Sequence, residues 1–133
     1  MPKEPSSFKY LMRMMRGQVG RVGIGNTPED GFFALQSRAA EYIDELLAEF
    51  QVEQAPGMRF WLLELIAEAQ SPKAFPTLVE CLRGEEADLW VWAIDGLQKL
   101  NTREARKALW EARSYTKATP EATAHFKARL PLE

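Results

Sequence analysis

Met58-Arg59-Phe60-Trp61-Leu62-Leu63-Glu64 returns, one 31-residue period further on, as Leu89-Trp90-Val91-Trp92-Ala93-Ile94-Asp95, and the register continues beyond it. At the same offset Ser71 meets Thr102, Ala74 meets Ala105, Leu78 meets Leu109 and Glu80 meets Glu111. A period of this size marks stacked supersecondary units, each too small to bury its apolar face alone. The units at 56–83 and 87–113 each read as a first helix (57–69; 87–100), a tight turn and a second helix (72–83; 103–113). The turn holds a hydroxyl cap, Ser71 or Thr102, and little else, so the two helices of a unit are expected to run antiparallel and pack together. Runs such as Trp61-Leu62-Leu63 and Leu65-Ile66 make the first helices apolar on more than one side, as expected of a helix that touches its partner and the neighbouring units.

Outward from the repeat, helix starts are written in the same way. Thr27-Pro28-Glu29-Asp30, Ser71-Pro72, Thr102-Arg103-Glu104 and Thr119-Pro120-Glu121 each place a hydroxyl before a proline or an acid, which suits a cap and a first turn. Phe8, Leu11, Met12 and Met15 fall at i, i+3, i+4 and i+7 and predict an amphipathic helix over 6–16, with Lys9, Arg13 and Arg16 on its other side. Residues 17–26 hold four glycines and predict a flexible loop; the Gly-Lys-Ser/Thr ending of a phosphate-binding loop is missing. The segment 28–51 reads as a degenerate first unit; with no Gly or Pro between Phe32 and Gln51 it could be one long helix, but the repeat favours two, broken near Ser37-Arg38, and 119–130 reads as a C-terminal helix. No stretch alternates as a strand would. The expected fold is all-α: a single domain of about six to eight helices, forming a short α-solenoid of antiparallel pairs wound into a right-handed superhelix.

The repeat resembles the HEAT-like repeats of phycobilin lyase subunits. Met58-Arg59, Leu62, Leu65-Ile66, Ala74 and Leu78 match that pattern, and Leu89, Ala93, Gly96-Leu97, Ala105 and Leu109 match it again. Two departures stand out: Trp90 occupies the place where the family keeps arginine and the first unit has Arg59, and the family's turn glycine is missing. The resemblance implies a fold more than a function, because such repeats serve lyase subunits, DNA glycosylases, a metal hydroxylase, adaptors and inhibitors.

The chain has 133 residues, 46% of them apolar and 27% charged, which is a globular composition able to bury one core. No apolar run is long enough to span a bilayer, and Lys9 and Arg13 interrupt the first apolar cluster, so the expected location is the cytoplasm. The net charge of −2 conceals a division: five bases against Glu4 in residues 1–25, 14 acids against 4 bases in 26–96, and 8 bases against 4 acids in 97–133. An acidic centre between basic ends favours a basic protein partner over nucleic acid, whose binding depends on a contiguous basic stripe.

Catalytic candidates are few. His125 is the only histidine, which leaves no His-Glu set for iron, and Cys81 is the only cysteine, aligned with Ala112 as a small core residue. Glu64 and Asp95 stand in register one unit apart, roughly a helix spacing of 8 to 10 Å, and could pair on a groove. No cofactor or metal is expected. Binding hot spots favour tryptophan and arginine. The candidate partner-binding residues are therefore Trp90, Trp110 and Arg59, with Glu64, Asp95, Glu80 and Glu111 as acidic surroundings. The function expected is a non-enzymatic interaction module, monomeric or weakly dimeric. By analogy of size and charge it would be an inhibitor, as a bacterial immunity protein neutralises a toxin. The rival readings are a subunit of a phycobilin lyase-like enzyme, with a deep pocket lined by Glu64 and Asp95, and a nucleic-acid binder using Arg13, Arg16, Arg21, Lys99, Arg103, Arg106 and Lys107.

Overall fold

Hydroxyl side chains cap four of the helices and one 3-10 turn. In the computed structural model, which describes residues 7–19 and 27–131, eight α-helices are present: α1 (Phe8–Met15), α2 (Pro28–Gln36), α3 (Ile43–Val52), α4 (Pro56–Glu68), α5 (Phe75–Arg83), α6 (Ala87–Leu100), α7 (Arg103–Ala112) and α8 (Pro120–Ala128). No strand occurs among the described residues. Ser7, Thr102 and Thr119 accept from the amides of Tyr10, Ala105 and Ala122. Thr27 accepts from the Asp30 amide while the Asp30 carboxylate accepts from the Thr27 amide, a reciprocal box at the head of α2. Most of the glycine-rich loop, residues 20–26, lies outside the described residues.

The second helix of the first unit does not begin as a regular α-helix. Ser71 caps a 3-10 turn, Pro72–Ala74, that runs into α5. Pro76 has no N–H to offer the Pro72 carbonyl, which takes a tighter bond from the Phe75 amide instead. The segment 28–51 is two helices separated by a turn over 37–42. At the break the Ser37 hydroxyl donates to the Ala34 carbonyl, and the Arg38 amide bonds three positions back to Leu35.

Burial follows the 31-residue register. Leu62 and Ala93, Leu63 and Ile94, Ile66 and Leu97, Ala74 and Ala105, Leu78 and Leu109, and Cys81 and Ala112 are buried in pairs. One apolar core extends from Leu11 to Leu130. Central to it, α6 touches α4, α5, α7 and α8; α4 also touches α2 and α3, and α1 lies on α2. Two glycines allow the closest approaches. A Cβ on Gly31 would sit 2.7 Å from the Met15 amide nitrogen and 3.0 Å from the Leu11 carbonyl, and one on Gly96 would meet Leu78 at 2.9 Å and Ala67 at 3.0 Å. Trp61 and Trp92 are half-buried, each against a phenyl ring from earlier in the chain, Phe32 at 5.2 Å and Phe60 at 5.8 Å.

Candidate interaction surface

The expectation of Trp90 at the surface is overturned. Trp90 is 1% exposed and meets Phe126 edge to face at 5.1 Å, while its indole N–H donates to the Gly84 carbonyl at 2.8 Å. The physical reason lies in the carbonyls at the end of the preceding helix, which need donors. One unit earlier Arg59 serves this purpose: its guanidinium donates to the carbonyls of Phe50 and Glu53, lies 4.2 Å from the Phe50 ring and pairs with Glu86 at 2.9 Å. Glu53 and Gly84 are equivalent in the repeat register, so Arg59 and Trp90 donate to the same place in successive units.

The charge that Trp90 lacks comes from Lys117, which the register places one unit after Glu86. Its ammonium donates to the carbonyls of Leu82 and Gly84 and lies 4.2 Å from the Phe126 ring and 4.9 Å from that of Trp90. Burial holds the Lys117 ammonium below its ordinary pKa, opposed by the charge of Glu85. An ion pair in one unit thus becomes a cation–π contact in the next. Arg59 is consequently tied up by internal bonds, its side chain 20% exposed.

Glu64 and Asp95 are half-buried on α4 and α6 and close enough to interact. Burial, reinforced by the charges of Glu68 and Asp95 and opposed by Lys99, raises the Glu64 carboxyl above the usual range. Lys99 lies 3.0 Å from Asp95 and 3.4 Å from Glu68. Burial alone would lower its pKa, but these partners carry it above its ordinary value. Glu80 and Glu111 stand on other helices, α5 and α7, and both are exposed. Cys81 is buried, and that burial pushes its thiol up to about 12, far from nucleophilic use at neutral pH. His125 is exposed beside Arg129.

What sequence reasoning missed is an open groove of about 560 Å³ at the amino ends of α4 and α6, walled by Pro56, Gly57, Met58, Phe60 and Trp61 with Asp88 at its edge. Neither Glu64 nor Asp95 lines it. Helical spacing continues it toward Glu64, one turn beyond Phe60, and toward Asp95, which pairs with Lys99 at 3.0 Å. The signal was present in Pro56-Gly57-Met58, an apolar start with no cap, but apolar residues all round a helix read first as burial. A Cβ at Gly57 would meet nothing within 4 Å, so the groove floor is open there. Trp110 stands apart from it on α7, 60% exposed, with the Arg113 guanidinium 4.5 Å from its ring.

The basic residues named for nucleic acid do not form one free set. Arg16 is paired with Glu49 and Glu53, Lys99 with Asp95 and Glu68, and Arg21 lies outside the described residues. Among the described residues no group of His, Cys, Asp or Glu could hold a metal ion, and no helix is long and apolar enough to cross a membrane. No family model matches the chain, and it has no match among the curated proteins or the solved structures compared with it.

Proposed function

We propose that this chain is a non-enzymatic protein-interaction module of the cytoplasm, a short HEAT-like solenoid of antiparallel helix pairs that holds a basic protein partner, in the manner of a small inhibitor. The observation that carries the reading is the open groove walled by Met58, Phe60 and Trp61. Concave apolar sites with a few polar groups at the edge are where anchors from a partner lose water most completely. Asp88 and Glu64 beside it favour a cation next to that anchor, and they speed encounter with a basic surface.

Gly57→Arg tests the reading, because the new side chain enters open space, fills the groove and reverses its charge. The tagged full chain should retain a specific protein from the source cell, and purified partner should bind the variant at least about ten-fold more weakly, as expected for loss of an anchor pocket. Its melting temperature should remain that of the wild type. Retention of no partner, or equal binding by Gly57→Arg, would sink the proposal.

A further inference from the structure

Two surface features differ in charge. The groove at the amino ends of α4 and α6 is apolar with Asp88 at its edge, and Glu64 follows one turn along α4. The cation nearest to it in sequence, Arg59, is committed to Glu86 and to the carbonyls of Phe50 and Glu53. Trp110 is the opposite case. Its indole is 60% exposed, and the bases three or four positions away along the chain are Arg106, Lys107 and Arg113. Glu111 is the one acid within a turn of it. The equivalent position one unit earlier is Val79, half-buried, so the register places an aromatic ring where only the last unit has an open side.

We propose that the groove receives Trp110 of a second copy of this chain, head to tail, with Lys107 of that copy facing Asp88. A single indole buries roughly 150 to 250 Å² of surface when it docks. Charge complementarity selects this end of the second copy over two other exposed large apolar side chains, Phe33 and Val52. Neither of those has three bases within one helical turn. The contact is heterologous: a dimer keeps a free groove at one end and a free indole at the other, so association continues beyond a dimer unless the ring closes. The inference rests on the reading of the groove as a binding site, and it makes self-docking a competitor of the external partner.

Sedimentation equilibrium of the full chain from about 5 µM to about 500 µM spans the range expected for one aromatic anchor and a few charges. The weight-average mass should rise with concentration at low salt and fall back near about 0.3 M salt, where surface charges are screened. Trp110→Ala and Gly57→Arg should each weaken self-association at least about ten-fold. Mixed in equal amounts, these two variants should recover a dimer and stop there, because one keeps only the groove and the other only the indole. A wild type that stays monomeric throughout would overturn self-docking, as would a Trp110→Ala variant that assembles like the wild type or a mixture that stays monomeric. If self-docking fails while Gly57→Arg still loses the external partner, the function proposed above stands. If Gly57→Arg loses neither contact, both are wrong.

Discussion

Glu53 and Gly84 follow α3 and α5 at equivalent positions, and both present a carbonyl that needs a donor in a half-buried place. Arg59 meets the first demand with charge and reach, and Trp90 meets the second with one N–H and a large apolar ring. Lys117 makes the exchange tolerable, because its ammonium returns a positive charge to the carbonyls of Leu82 and Gly84 and lies over the aromatic faces. Trp90→Ala should therefore cost about 3 to 5 kcal/mol of stability, a core value, whereas Trp110→Ala should stay within about 0.5 kcal/mol. Urea denaturation of the two variants checks this; equal effects would place both rings in the same environment. Trp90→Arg should be strongly destabilising with Lys117 present. Adding Lys117→Glu should recover about 1 kcal/mol relative to additivity, by rebuilding the pair that Arg59 and Glu86 make. A double-mutant cycle with no coupling would show that the two units do not share this device.

At the scale of elements, the turns that follow α4 and α6 show how the chain manages without a turn glycine. Gln70 and Asn101, equivalent in the repeat, both adopt left-handed backbone, with φ of 52° and 50°. Asparagine tolerates that region, and the Asn101 carbonyl and side chain accept from Arg106. Glutamine lacks the short side chain that eases this conformation. Gln70→Gly should raise stability by about 0.5 to 1 kcal/mol, the relief of the strain less the extra freedom of the unfolded chain, as a urea titration would show. Asn101→Gly should gain less. Gly31 poses the reverse problem, because a methyl group there would press on the backbone of α1 at the Met15 amide. Gly31→Ala should cost about 1 to 3 kcal/mol and loosen α1 first, visible as faster hydrogen exchange at Leu11 to Met15.

For the whole molecule, Glu64 makes a contribution to the pH response opposite in sign to that of Asp30, Glu41 and Glu53, whose carboxyls are held low by their hydrogen bonds. Glu64 is held above its ordinary pKa by burial and by neighbouring carboxylates. The folded state therefore binds its proton more tightly than the unfolded chain, and stability falls as pH rises from the unfolded value through the folded one. Glu64→Gln should raise the melting temperature more at pH 7 than at about pH 4, because protonation relieves the wild-type carboxyl of its charge as pH falls. An equal gain at both values would show that charge is not the cause. The same acidity leaves the groove region attractive to cations, so a substitution that steadies the fold should also weaken a basic partner.

The helices themselves were determined by the sequence, because caps, prolines and apolar spacing act within a few residues. Thr27, Ser71, Thr102 and Thr119 start elements by local hydrogen bonds, and the 31-residue register announces which residues share an environment. The break at Ser37 had no glycine or proline to mark it, and only the repeat favoured it over one continuous helix. The fate of single side chains at equivalent positions was decided only by tertiary structure. Whether Trp90 faces solvent depends on Phe126 in α8 and on Lys117 in the segment before it, both brought back to α6 from further along the chain. Whether Phe60 and Trp61 line a groove or a core depends on how far the heads of α4 and α6 stand apart. Spacing along a chain fixes which face a residue takes, whereas exposure depends on what distant segments bring to that face.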